Sequence, residues 1–326
     1  MVTGNHRQEM DGKRTVIGSG IYILDTIVVR EYPAWPAMRP FEDRVAVEEA
    51  GGTCGNVMAM LAWLGWDSRP QACLDDSPEG LRMADDLRRY GCDCRYVTNT
   101  PGGGTTLLRC THKKAADGTH TMSVRAGSPG GSRFPKHHFL RARDEAPAFL
   151  DDLKGTPDVY FFDDPAAGHR LIARELKARG ALVYFEPSRL SEPADLLAMA
   201  LADIVKFSGE LIREAPLSGP GQLFIQTLGS SGLRFSLRGA SWETVPPAPC
   251  GEVVDWEGAG DWTSAVFIHT LFRNGFHGMD GLTEEAVRRA LVTAQGVAAR
   301  SVGHLSSKGL IHSREGAGIL VQLTED

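Results

Sequence analysis

The stretch "VVDWEGAGDWTSAVFIHTLF", residues 253–272, sets a tight turn, Gly258-Ala259-Gly260-Asp261, between two apolar runs. The second run, with Ala265, Val266, Ile268, His269, Leu271 and Phe272, reads as a buried helix with little room for a polar face. A helix start offers unpaired backbone N–H groups and the positive end of the macrodipole. Glycines let the backbone come close to whatever binds there. An anion fits such a turn. Asp261 would repel it unless a hydroxyl or a metal stands between them, which suggests phosphate chemistry with the aspartate facing an acceptor. The alternative is that Asp261 only caps a helix after a loop.

The bulk properties leave room for that chemistry. A chain of 326 residues suffices for one large α/β domain or two smaller ones, and 42% hydrophobic residues is the level of a globular protein with a sizeable core. A net charge of -6 argues against nucleic acid as a main partner but not against a small anion held in a local positive field. No apolar run approaches the ~18 residues of a membrane span. The opening MVTGNHRQEMDGKRT lacks the apolar centre of a signal peptide, so residues 1–14 are expected to form a flexible lead-in. The six cysteines contain no CxxC pair and are expected to be reduced, mostly buried thiols in a cytoplasmic protein. The adjacent His137 and His138 read as surface residues rather than metal ligands.

Outward from the turn, strand-like and helix-like runs alternate in the rhythm of a parallel sheet. A first strand begins near Val16 and leads to Asp25. GSGIYI has Ile23 where the third glycine of a dinucleotide fingerprint belongs, which excludes a Rossmann dehydrogenase. After the proline-rich YPAWPAMRP, the strand-like RVAVEEA ends at Gly51-Gly52, and a helix follows with Val57, Met60, Leu61 and Leu64 on one face. RPQACL then reads as a strand, DDSPEG as a turn and LRMADDLRRYG as a helix. The rhythm breaks at TTLLRCTH and TMSVRAG, two strand-like runs joined through Asp117-Gly118, a hairpin signal. It resumes with DVYFF, a helix over HRLIARELKARG, then ALVYF, a helix around DLLAMALA, DIVKF, LFIQTL and GLRFSL. A long helix from about Thr283 to Arg300 and a last strand, GILVQL, are expected to close the chain. No internal repeat or clean linker divides it.

In order, then, stand Asp25, a Gly51-Gly52 turn before Asn56, Leu74-Asp75-Asp76, Lys206-Phe207-Ser208-Gly209-Glu210, Thr227-Leu228-Gly229-Ser230-Ser231-Gly232, and Asp255-Trp256-Glu257-Gly258-Ala259-Gly260-Asp261. From about residue 15 to the end this order resembles the PfkB/ribokinase family of carbohydrate and nucleoside kinases, as a divergent member. The resemblance implies a ribokinase-like α/β fold. A central, mostly parallel sheet is flanked by helices, in one domain over 15–326, with a small β-sheet lid from about 21–50 and 104–127. It implies ATP and Mg²⁺, with room for a monovalent cation, and transfer of the γ-phosphoryl group to a hydroxyl of a sugar, sugar acid or nucleoside. Asp261 would be the base, and the backbone of Gly258, Ala259 and Gly260 the anion hole. Asp25, Gly51, Gly52 and Asn56 would meet the substrate. Lys206, Ser208, Thr227, Gly229 and Gly232 would meet the nucleotide, and Glu210 and Glu257 would serve the metal.

Several positions depart from the family pattern. Where DTTGAGD is usual, this chain has Trp256 and Glu257, and Trp262 follows the aspartate in place of a small residue. The family's Asn-x-x-Glu falls on Ser208 to Leu211, with serine for asparagine and the glutamate one place early. Ile23 stands where an asparagine is common. A carboxylate at 257 must point away or hold a cation. Glu186 and Arg189 in FEPSR, with Asp163 and Asp164, end strands and are expected to face the cleft. Arg125 is a candidate anchor for an anionic substrate. The departures keep a second function open: a catalytically weak relative that binds nucleotide or sugar as a sensor or assembly partner. RVAVEEA and TTLLRC are expected to give lid edges that need covering, through which the chain would form a homodimer. Neither nucleic acid nor membrane is an expected partner.

Overall fold

Runs such as VYFF and LVYF carry no polar position, so strands made from them must be covered on both faces. The chain meets that demand with a large sheet between two layers of helices. This computed structural model describes residues 13–31, 43–114, 120–214 and 217–325. Residues 1–12 of the lead-in, the proline-rich passage and the Asp117-Gly118 turn lie outside these.

In chain order the strands are β1 (Thr15–Ser19), β2 (Ile23–Glu31), β3 (Asp43–Gly51), β4 (Asp67–Leu74), β5 (Tyr96–Asn99), β6 (Thr106–Lys114), β7 (His120–Gly127), β8 (Val159–Phe162), β9 (Leu182–Phe185), β10 (Ile204–Ser208), β11 (Leu223–Thr227), β12 (Leu233–Leu237) and β13 (Glu243–Val245). The helices are α1 (Thr53–Trp63), α2 (Pro78–Arg89), α3 (Glu145–Asp152), α4 (Ala167–Ala178), α5 (Pro193–Leu201), α6 (Ala259–Arg273), α7 (Glu284–Ser301) and α8 (Arg314–Glu325).

The large sheet runs β13-β12-β11-β10-β9-β8-β1-β4-β5. Its pairs from β11 to β5 are parallel, and β12 and β13 join antiparallel. On one face Met58, Trp262, Phe267 and Leu291 bring α1, α6 and α7 into one core; on the other, Phe149, Ile172 and Ala198 bring α3, α4 and α5 into a second. Phe162 and Phe185 stack across β8 and β9 with centroids 4.6 Å apart. This is the expected fold class.

Local chemistry sets the helix starts. Ser77 Oγ accepts from Gly80 N–H at 3.1 Å, with Pro78 opening α2, and Thr283 Oγ1 accepts from Ala286 N–H at 3.2 Å at the head of α7. The expected last strand, GILVQL, is instead the body of α8. Ser313 Oγ accepts from Gly316 N–H at 2.9 Å, and Ile319, Leu320 and Leu323 pack on the core while Val321 stays exposed. That spacing fits a helix face and not the alternation of a strand.

The second sheet has the order β3-β2-β6-β7. β2 pairs antiparallel with β3 and parallel with β6, and β6 pairs antiparallel with β7. One expected edge, RVAVEEA, is therefore an edge as β3. The other, TTLLRC, is not: β6 is interior, because β2 takes one of its sides and its hairpin partner β7 the other.

Candidate active site

The GAGD turn is built as a tight approach. Gly258 has φ 78°, the left-handed region, and a Cβ there would collide with Ser307. α6 begins at Ala259, and no side chain caps it among the described residues. Asp261 is not the cap that the plainer alternative required. It lies inside the first turn, nearly buried, and its Oδ2 accepts from Asn56 Nδ2 at 2.7 Å. Asp255 pegs the turn from below: Oδ1 accepts from Glu257 N–H and Oδ2 from Ser306 N–H, both at 3.0 Å. Trp262 explains its own departure from the family. It is fully buried, meets Trp63 edge-to-face at 5.4 Å, and donates from Nε1 to Ser307 O at 2.8 Å.

Two ammonium groups flank Asp261. Lys206, in the middle of β10, is buried and pairs with Glu186, the residue that follows β9, whose other oxygen accepts from Ser264 Oγ. A Cβ on Gly260 would stand 3.6 Å from Lys206 Nζ, so this charge borders the glycine turn. On the other side Lys308 Nζ donates to Asn56 Oδ1 at 2.6 Å. Burial pushes the Asp261 carboxyl above its ordinary value; Glu186 adds to that, and the Asn56 hydrogen bond and the two lysines oppose it.

The small sheet supplies a second carboxylate. Asp25 Oδ1 is buried with no hydrogen-bond partner, and a Cβ on Gly51 would collide with Asp25 Oδ2. Burial raises the Asp25 pKa to about 7, with Glu257, Glu49 and Asp261 adding and Lys308 opposing. Gly51 and Gly52 sit where β3 passes into α1, beneath this carboxylate. Two further side chains of the sheet's inner face reach the turn: Cys110 Sγ donates to Glu257 Oε1 at 3.3 Å, and His112 Nε2 lies 3.5 Å from Asp255 Oδ2. Glu257 thus engages the small sheet, and burial raises its pKa. Arg125 does not join them. The register places it beside Arg109 and Thr26, one residue out of step with Asp25 and hence on the opposite face.

Of the residues expected to meet the nucleotide, Ser208 and Thr227 close β10 and β11 side by side, at the carboxyl ends of parallel strands where α/β sheets bind ligands. Gly209 N–H donates to Thr227 O and Leu228 N–H to Gly232 O, both at 2.8 Å, which folds Gly229–Ser231 into a compact loop. Glu210 is exposed and its carboxylate lies over Gly229. Among the described residues no group of three or more His, Cys, Asp or Glu is placed to hold a metal ion.

Other expected cleft residues have local tasks. Asp163 accepts from Ile21 N–H at 2.8 Å and Cys54 N–H at 2.9 Å, stapling the approach to β2 onto α1. Asp164 accepts from Ala166 N–H ahead of α4, and Arg189 pairs with Asp195 in the first turn of α5. The six cysteines are free thiols; Cys54, Cys92 and Cys110 are buried, and Cys250 is exposed. His137 and His138 are half-buried, His138 against Glu145. Sequence reasoning missed Glu49, Ser307 and Lys308. The run Ser306-Ser307-Lys308-Gly309 carries no motif that singles them out.

Comparison with known proteins agrees with this geometry. Residues 177–307 match the sequence model of the family described as "pfkB family carbohydrate kinase". No curated protein matches the chain. Among solved structures, the chain is similar to a fructokinase from Xylella fastidiosa with bound ATP (TM-score 0.67, 19% identity, covering 96% of this chain and 100% of that one). It is similar to an Arabidopsis thaliana ribokinase complexed with ribose and ATP (TM-score 0.66, 16% identity, 96% and 99% covered). A nucleoside kinase from Burkholderia thailandensis in complex with inosine also matches (TM-score 0.62, 18% identity, 95% and 97% covered). At these identities the structural likeness shows the ribokinase-like fold, and the family match over residues 177–307 bears out the resemblance to PfkB carbohydrate kinases read from the sequence.

Proposed function

We propose that the protein is an ATP-dependent kinase that transfers the γ-phosphoryl group to a hydroxyl of a sugar or nucleoside. The observation that carries this is Asp261: a buried carboxylate in the first turn of an uncapped helix, directly after a glycine turn and held by Asn56. Backbone N–H groups of Gly258, Ala259 and Gly260 suit the equatorial oxygens of a transferring phosphoryl group. Asp261 takes the proton of the acceptor hydroxyl, the acceptor oxygen forms the new bond to phosphorus, and the bond to the ADP oxygen breaks. Lys206 adds positive charge beside the turn.

Asp25, with its unpartnered oxygen, accepts from substrate hydroxyls above Gly51 and Gly52. Asn56 acts on Asp261 as well as bordering the substrate. Ser208, Thr227, Gly229 and Gly232 form the nucleotide end. Mg²⁺ would come with ATP, held mostly by phosphate and water and approached by Glu210, and would neutralise phosphate charge. Glu257, engaged by Cys110, is the less accessible of the two acidic candidates. No residue is assigned to a monovalent cation. The acidic surroundings of Asp25 favour neutral polyhydroxy substrates over sugar acids, because Arg125 lies on the far face.

A screen of sugars, sugar acids and nucleosides with MgATP, read by both phosphate transfer and thermal shift, tests the proposal. Transfer to a neutral sugar or nucleoside supports it. Tight binding without transfer would replace it with the sensor alternative.

A further inference from the structure

Lys308 is fully buried, beside the proposed catalytic aspartate, and belongs to none of the motifs that carry the family resemblance. Its Nζ donates to Asn56 Oδ1 at 2.6 Å and to Ser307 Oγ at 2.9 Å, and lies 3.2 Å from Glu49 Oε1. Ser307 Oγ donates to Asn56 Oδ1 as well, at 3.0 Å. An ammonium carries only donors, and an ionised carboxylate only acceptors. Asn56 stands between one of each. Its oxygen must face Lys308 and its Nδ2 must face Asp261; the flipped amide would set N–H groups against the ammonium and oxygen against the carboxylate. Lys308 therefore fixes which way Asn56 points, and Asn56 donates to Asp261 Oδ2 at 2.7 Å.

Glu49 extends the chain outward. It sits near the end of β3, nearly buried, with Oε1 toward Lys308 and Oε2 accepting from Tyr90 Oη at 2.9 Å. Lys308 also lies over the Tyr90 ring, 5.6 Å from its centroid. A buried ammonium is costly unless paired and hydrogen-bonded, and here each neighbour that pairs it belongs to a different element: β3, α1 and the segment before α8.

We propose that Lys308 is a positioning residue for phosphoryl transfer: through Asn56 it fixes the orientation of the Asp261 carboxylate, and through Glu49 it ties β3 to that arrangement. This rests on the kinase assignment above only for its kinetic consequence; the ionisation of Asp261, which Asn56 and Lys308 support, can be read without turnover. Asp261 faces Lys206 from within β10, Glu186 just past β9, Asn56 and Cys54 from α1, Asp25 from the small sheet, and Lys308. Lys308 in turn faces Asp25 and Glu49 from the small sheet and Tyr90 and Cys92 from around α2. Removing the Lys308 charge leaves Asp261 with the same burial and less support for its ionised form.

The test is a carboxyl ¹³C NMR titration of Asp261, assigned with Asp261→Asn, in wild type, Lys308→Met, Glu49→Gln and Lys308→Met/Glu49→Gln. The double variant removes both charges, so it leaves no buried carboxylate stranded as the single lysine variant leaves Glu49. The Asp261 midpoint should rise in Lys308→Met relative to wild type, and in the double variant relative to Glu49→Gln. Where the screen has found an acceptor, the acidic limb of kcat/KM should move to higher pH by the same amount. Misplacement of the base should lower kcat by about 10²-fold. An unchanged Asp261 midpoint in the double variant relative to Glu49→Gln overturns the proposal whether or not the wild type turns over. Absence of turnover in wild type, with the midpoint shifted, overturns the kinase assignment and leaves the positioning intact.

Discussion

As the proposed base, Asp261 has to be ionised to accept a proton, yet it lies where burial and Glu186 favour the protonated form. Asn56, Lys206 and Lys308 offset that preference. Replacing it by asparagine should therefore do two separable things. Turnover should fall by about 10²–10⁴-fold, the usual loss for a positioned base, with ATP binding nearly intact. Stability should move the other way. A carboxyl whose native value is raised above its unfolded value of about 3.9 binds its proton more tightly in the folded state. It costs nothing below the unfolded value, and the cost grows as pH rises toward the native value. Asp261→Asn should thus melt above wild type at pH 8, with the difference vanishing near pH 4. Melting curves across that range check it. A variant that melts lower at pH 8 would mean that the ionised carboxylate is net stabilising in the folded protein.

At the scale of elements, what was legible in the sequence and what was not divides by the range of the contacts. Buried strands such as DVYFF and ALVYF, and the helix after GAGD, declare themselves by composition within a few residues. The small sheet was legible as two insertions. Its strand order was not, because the parallel pairing of β2 with β6 joins residues far apart in sequence. GILVQL misled because a short apolar run is consistent with either period; Ser313 and the exposed Val321 decide it. The small sheet touches the GAGD turn, the proposed catalytic turn, through Cys110 to Glu257 and His112 beside Asp255. Substrate bound at Asp25 would add contacts on the same face. Hydrogen exchange should accordingly slow in β2, β3 and β6 when an acceptor and a nucleotide analogue are bound together. Protection confined to the large sheet would remove the lid role from this element.

The whole molecule places Asp25, Asn56, Glu186, Lys206, Asp261 and Lys308 together from six separate parts of the chain. The motif residues among them could be read in the sequence because glycine turns and strand-end aspartates keep local signatures. Lys308 could not, since its significance lies wholly in partners at residues 49 and 56. The same view shows what the molecule leaves uncovered. β3 and β7 are the edges of the small sheet, and Val45 and Val124 on them are 54% and 47% exposed. An open strand edge presents unpaired backbone groups to any second strand, and apolar side chains along it favour pairing. A symmetric pair of chains would cover such an edge with its own copy. The expected state in solution is therefore a dimer, and the β3 edge, which continues through Glu49 toward the active site, is the place to disrupt it. Val45→Lys puts a charge on that edge without touching the large sheet. Light scattering over a range of protein concentrations should give a dimer for wild type and a shift toward monomer for Val45→Lys, with the melting temperature little changed. A wild-type chain that remains monomeric at the highest concentration rules out the pairing, and a Val45→Lys dimer of undiminished affinity moves the interface away from β3.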